Sequence, residues 1–258
     1  MRIFAIRLPE APPQETVDIL ASCLPPDVQK RISRFRRPSD ALRTLVSHLL
    51  PIWYFRQHMG LLTPLSFVRS SKGRPSLVSD VLLSSSLSDR QVQASPPDLQ
   101  VDFNTSHEGS CVLLGVVQSL NARIGVDVMQ FPADARDLQE GISDQLTVQE
   151  RQMLAIPMTE AERAIRLTTL WTTKEAYVKA IGEGVAMGLQ RINVRIKQRL
   201  VEAIEVDGRD LREDGWKWIW REEGDYGLAV VYQHDGLNEA SNLEWVQWDA
   251  FSTFFTKR

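Results

Sequence analysis

Apolar and polar residues alternate in RIFAIRL near the start of the chain, and the Pro-rich EAPPQE that follows closes the strand this predicts. A helical region begins near Pro25 and Pro26. DVQKRISRF places basic residues on its exposed positions, and ALRTLVSHLLPIWYFRQHM predicts a second helix, with Ser39 or Asp40 as its cap and Pro51 as a kink or break. SFVRSSKGRPSLV reads as two short strands about a Gly-Arg-Pro turn. The polar, Ser- and Pro-rich stretch 84–100 predicts a surface loop. VDFNTSHEG, CVLLGVVQS and RIGVDVMQF have strand composition. From about residue 145 the period becomes helical, through LTVQERQMLAIPM and then AERAIRLTTLWTTKEAYVKAIG, with Gly182 and Gly184 ending it. INVRIKQ, VEAIEVDG, WKWIWREE, YGLAVVYQ and LEWVQWD return to alternation. The order strand, helices, strands thus occurs twice, which predicts an α+β protein of two halves, 1–120 and 121–258.

One helix carries an anomaly. Leu167, Leu170, Trp171, Val178 and Ile181 recur at helical spacing, and the same stripe runs through Lys174. Trp171, Glu175 and Lys179 share a side at i, i+4 and i+8. An exposed Glu–Lys pair is common on helices. A carboxylate bracketed by two lysines beside a Gly-rich helix end also suits a metal with phosphate oxygens around it.

Composition narrows the classes. The chain has 258 residues, 43% hydrophobic and 24% charged, an ordinary globular mixture. A formal net charge of −3 supplies no positive field for nucleic acid. Cys23 and Cys111 stand far apart, which supports neither a disulfide framework nor a zinc knuckle and fits a reducing compartment. The N-terminus lacks a signal-peptide pattern and no apolar run approaches the roughly 20 residues of a membrane span, so a cytoplasmic, soluble protein is expected.

Two further stretches offer chemistry. In GVDVMQ, residues 125–130, alternation turns Val126 and Val128 one way and Asp127 and Met129 the other. An acid there suits a cation, although Asp at a strand end is commonly a turn or cap residue. In FNTSHEG, residues 103–109, Ser106 and His107 are candidate phosphate ligands and Glu108 a further carboxylate. His48, His58 and His234 form no metal-ligand spacing with it, and adjacent Ser and His on a strand do not make a nucleophile pair.

FNTSHEG, GVDVMQ and WTTKEAYVKAIGEG, in that order and with a Gly-Arg-Pro turn upstream, resemble the surfactin-type 4′-phosphopantetheinyl transferases. RISRFRRPSDALRTL is similar to that family's basic, Arg-Thr-Leu-containing helix region, so the resemblance touches both halves. It implies a pseudo-dimer of two α+β subdomains, each a mainly antiparallel sheet packed with helices. It also implies Mg²⁺-dependent transfer of the phosphopantetheine arm of coenzyme A to a serine of an apo acyl or peptidyl carrier protein, with release of adenosine 3′,5′-bisphosphate. The pattern of Met129 and the polar insertion is closer to eukaryotic members than bacterial ones.

By resemblance, Asp127 and Glu175 are Mg²⁺ ligands. Bacterial members often carry an acid where Met129 stands, and a thioether is a poor ligand for so hard an ion. Glu108 is the proposed replacement, with water the alternative. Arg74 matches the lysine of the family's Gly-Lys-Pro turn, and Ser106 and His107 its phosphate-binding pair. Arg31, with Lys30 and Arg34 as alternatives, corresponds to a contact to the 3′-phosphate. Arg43 and Thr44 correspond to the pair beside the adenine. Lys179 is expected on the pyrophosphate, and Lys174 either there or fixing Glu175. Trp171 is read as packing, and Glu175 and Lys179 as the catalytic pair. Carrier docking falls to a basic patch at RISRFRR, to the lysines near the active helix, or to an apolar groove at LTVQERQMLAI. Because one chain supplies both halves, a monomer is expected. A non-catalytic coenzyme A-binding protein is the alternative function.

Overall fold

The computed structural model describes residues 1–61, 65, 67–70, 73–77, 101–119, 121–234 and 242–257, so the loop expected at 84–100 lies outside the described residues. The first half runs β1 (Arg2–Arg7), α1 (Gln14–Ser22), α2 (Pro26–Ile32), α3 (Pro38–Met59), the ribbon β2 (Phe67–Arg69) and β3 (Pro75–Leu77), then the hairpin β4 (Val101–Glu108) and β5 (Cys111–Gln118). The second runs β6 (Arg123–Gln130), α4 (Ala135–Gly141), α5 (Val148–Ala155), α6 (Glu160–Ile181), a small sheet of β7 (Ile192–Lys197), β8 (Leu200–Val206) and β9 (Arg209–Asp210), then the hairpin β10 (Trp216–Glu223) and β11 (Tyr226–Gln233). β12 (Leu243–Val246) and α7 (Trp248–Thr256) follow.

The halves share a plan. In each, an opening strand leads through short helices to a helix of 22 residues that stops at a glycine in the left-handed conformation, Gly60 at φ 67° and Gly182 at φ 72°. In each, the second strand of the closing hairpin returns antiparallel to the opening strand, β5 on β1 (Ile3 opposite Gly115) and β11 on β6 (Asp127 opposite Ala229). This is the expected two-subdomain α+β fold.

Strand alternation sorts the side chains into three cores. On β1, Phe4 and Ile6 join α3 in one core while Ile3 and Ala5 face the other way, onto Ile124, Val126 and Val128 of β6 and Leu228 and Val230 of β11. The two sheets therefore pack against each other through a middle core. A third core, with Leu167, Leu170 and Val178, lies between α6 and the outer side of the second sheet. Each such buried side chain contributes about 1.5–3 kcal/mol.

Several expectations need revision. β12 lies parallel to β1, and Phe251 and Phe255 of α7 sit in the core of the first half, so the closing segment packs away from the half in which sequence order places it. α3 continues through Pro51 as one element, and its cap is Arg37, with Pro38 in the first turn, rather than Ser39 or Asp40. α1, α4 and α7 were not anticipated from the sequence.

Candidate active site

The site is assembled where β4, β6 and α6 meet. β4 and β6 are edge strands of their sheets, and edges carry backbone groups that need partners. Alternate side chains of β4 provide them. Asp102 Oδ2 accepts from the Ile124 N–H (2.8 Å), Asn104 Oδ1 from the Val126 N–H (3.0 Å) and Glu108 Oε2 from the Gln130 N–H (3.1 Å). The polar positions of VDFNTSHE thus zip the halves together. Ser106 departs from this pattern, because its Oγ donates to Asp127 Oδ1 at 2.7 Å.

α6 is held against β6 with unusual closeness. A Cβ on Gly125 would lie 1.9 Å from the Ala176 carbonyl oxygen and 2.4 Å from the Ala180 nitrogen, so only glycine permits this approach. The helix starts at Thr159, whose side chain accepts from the Glu162 N–H at 3.2 Å, and has Glu160 and Glu162 in its first turn and Lys179 in its last, all favourable to its dipole. Two residues past Gly125, Asp127 meets the helix. Lys179 Nζ donates to Asp127 Oδ1 at 2.6 Å and to Ser106 Oγ at 3.1 Å. Asp127 is only 7% exposed.

Two glutamates here feel the charge of Asp127. Burial, and next the negative charge of Asp127, raises Glu175 above the usual carboxylate range, against the pull of Lys179. Glu108 is raised by burial and by Asp127, while its bond from the Gln130 N–H and the charge of Arg43 oppose the shift. His107 is pushed below the ordinary imidazole range, first by desolvation and then by Arg43 and Lys179. Among the described residues, no three His, Cys, Asp or Glu side chains already stand together as a metal cage.

The first half contributes the other expected residues. Arg31 Nη2 meets His48 Nε2 at 2.7 Å, and His48 Nδ1 lies 2.9 Å from the Thr44 carbonyl oxygen, linking α2 to α3. Thr44 Oγ1 donates to the Asp40 carbonyl oxygen at 2.9 Å. Arg43 pairs with Asp40 and donates to the Gly109 carbonyl oxygen at 3.1 Å, and its Nε is buried without a partner. A cavity of about 790 Å³, a size typical of ligand pockets, opens beside His48, Arg56, Phe67, Asn104 and Thr105.

Two basic residues differ from expectation. Arg74 was expected on the anionic end of a coenzyme, but its guanidinium donates to Asp102 Oδ2 (2.5 Å), the Ile124 carbonyl oxygen (2.7 Å) and the carbonyls of Lys179 and Ala180. It caps the C-terminal end of α6, where carbonyls lack helical partners. Lys174 points away from the site altogether. It is 1% exposed and ion-paired with Glu150 at 2.6 Å, because residues adjacent on a helix diverge by about 100°. Trp171 packs against the third core, as read from the sequence. Asp102, Asn104 and Glu150 were missed; the even-numbered polar positions of β4 carried the signal for the first two.

Comparison with known proteins gives these residues a context. A family model described as the 4′-phosphopantetheinyl transferase superfamily matches residues 123–231, and one described as the N-terminal part of 4′-phosphopantetheinyl transferases matches 11–119. A Synechocystis protein assigned as a 4′-phosphopantetheinyl transferase is 32% identical over 231 residues, 84% of this chain and 85% of that one. The 4′-phosphopantetheinyl transferase pptA of Paxillus involutus is 29% identical over 205 residues, 74% and 70% of the two chains. An L-aminoadipate-semialdehyde dehydrogenase-phosphopantetheinyl transferase of Xenopus laevis is 24% identical over 189 residues, 71% and 58%. Among solved structures, a Bacillus anthracis holo-(acyl-carrier-protein) synthase in complex with coenzyme A aligns with a TM-score of 0.35 at 19% identity, covering 43% of this chain and 93% of that one.

Proposed function

Because the chain belongs to the 4′-phosphopantetheinyl transferase family, which moves phosphopantetheine from coenzyme A to carrier proteins, we propose that a carrier serine hydroxyl attacks the β-phosphate of coenzyme A in its site and releases adenosine 3′,5′-bisphosphate. The observation that carries this reading is the meeting of Asp127, Ser106 and Lys179 within 3.1 Å, next to a carboxylate, Glu175, raised by its surroundings. Glu175 takes the serine proton as the new oxygen–phosphorus bond forms and the bond to the bridging oxygen of the bisphosphate breaks.

Cations hold the anionic substrate. In this reading the Lys179 ammonium, now on Asp127, moves to the diphosphate, with His107 as a further donor and the Ser106 hydroxyl, now on Asp127, turning to it. We place the nucleotide end of coenzyme A in the first half, by the Arg31–His48–Thr44 chain and Arg43.

The donor set fits Mg²⁺. It is oxygen only, and Glu108 and Glu175 are both raised, first by burial and then in part by the charge of Asp127, which a cation among them would offset. Asp127 and Glu175 are the proposed ligands with Glu108 as third, and Mg²⁺ held there would supply charge that offsets the diphosphate. One chain provides every group named, so a monomer suffices.

Incubating the protein with coenzyme A, Mg²⁺ and apo carriers, then weighing the carriers by mass spectrometry, tests this. A gain of one phosphopantetheine group per carrier, lost on chelation and restored by Mg²⁺, is expected. Transfer at full rate without a divalent ion would reject the metal assignment.

A further inference from the structure

We infer that Glu150 and Lys174 form a buried positioning pair that sets the rotation of α6, and with it the placement of Glu175 and Lys179. The Lys174 ammonium has three protons and three acceptors: Glu150 Oε2 (2.6 Å), the Gln145 carbonyl oxygen (2.7 Å) and the Leu189 carbonyl oxygen (3.2 Å). Both side chains are 1% exposed. No donor of Lys174 is left for a phosphate.

Glu150 is equally committed. Its Oε2 also accepts from the Thr147 N–H (2.8 Å), the reciprocal bond of the capping box that starts α5, and its Oε1 accepts from the Val194 N–H of β7 (2.9 Å). One lysine on α6 therefore ties together the start of α5, the segment before it, the turn at Leu189 and, through Glu150, β7.

The side of α6 facing the site explains why such an anchor matters. There the Gly125 backbone lies directly against the Ala176 carbonyl and the Ala180 nitrogen, so at this point β6 presents no side chain to key into the helix. A backbone contact of this kind fixes distance and leaves rotation to side-chain bonds, on this side those of Lys179 to Asp127 and Ser106. Lys174, about 100° round the helix from Glu175, supplies the rotational stop from the far side. Burying a charge pair is costly against an apolar alternative, whereas losing one partner is strongly destabilising, so the pair suits specification of one geometry.

The inference rests on Glu175 and Lys179 being the working groups of the site. That reading falls if Glu175→Gln turns over normally; the present one is judged on residues that touch no substrate. Glu150→Gln keeps the shape and removes the charge, Lys174→Met removes the ammonium, and the Lys174→Met/Glu150→Met double variant replaces the pair with apolar volume. For each folded variant, kcat, KM and Kd for coenzyme A and Tm are measured. The expected result is a tenfold or greater loss of kcat in Glu150→Gln and in the double variant, with Kd for coenzyme A within twofold of wild type and Tm recovered in the double variant relative to Lys174→Met. Wild-type kcat in folded Glu150→Gln overturns the inference, leaving the pair a matter of stability alone. A tenfold rise in Kd at unchanged kcat and Tm in Lys174→Met also overturns it, by returning Lys174 to the coenzyme.

Discussion

Replacing Gly125 by alanine adds one methyl group at the place where β6 and α6 touch. That Cβ would stand 1.9 Å from the Ala176 carbonyl oxygen and 2.4 Å from the Ala180 nitrogen. Ordinary contact begins near 3.4 Å, so α6 must retreat by about 1.5 Å, and because the obstacles are backbone no rotamer change relieves them. Overpacking of this kind costs about 1–3 kcal/mol, and a 1 kcal/mol loss lowers Tm by about 2–4 °C in a chain of this size. The catalytic cost is larger. Lys179 reaches Asp127 at 2.6 Å, and displacement of working groups by about 1 Å lowers rates roughly a hundredfold. Gly125→Ala is therefore expected to remain folded with a modestly reduced Tm and to lose about two orders of magnitude in carrier modification, read by mass spectrometry at saturating coenzyme A. A folded variant with wild-type turnover would refute the claim that this contact sets the site.

Glu175→Gln is expected to lose most turnover. Because burial raises Glu175 in the fold, its stabilising contribution is full below the unfolded carboxylate range and fades as pH rises through the raised value, so the variant should also melt higher than wild type near neutral pH without Mg²⁺ or coenzyme; a lower Tm would contradict that cause. His107 is held below its usual range and gains a proton more readily beside a phosphate, so coenzyme A affinity by calorimetry should strengthen as pH falls from about 8 to 6, and this increment should vanish in His107→Gln. Arg74→Met and Asp102→Asn each remove part of one bridge and should each lower stability by about 1–3 kcal/mol, with the double variant short of their sum in urea unfolding; full additivity would mean they act separately.

The sequence showed the site's main elements because their signals are local. The apolar stripe and the closing Gly182 marked α6, and the alternation about Asp127 turned it away from Val126 and Val128 toward the helix. Long-range pairing left no such trace. Glu150 lies 24 positions from Lys174, so the lysine in the apolar stripe was legible as an anomaly but its partner was not. The same holds for Arg74, whose acceptors come from β4, β6 and α6, and for β12, whose pairing with β1 joins opposite ends of the chain. Short helices such as α1, capped by Pro13 without a side-chain hydrogen bond, gave no boundary signal of the kind that marked α6.

The central claim is that Asp127 and Glu175 jointly face the diphosphate of coenzyme A across one divalent ion. A crystal structure with coenzyme A and Mn²⁺, located by its anomalous signal, tests it most directly. The expected result is a single metal peak within coordination distance of both carboxylates and of diphosphate oxygens, with Lys179 moved from Asp127 onto the phosphate. A metal bound elsewhere, or a diphosphate remote from both acids, would contradict it.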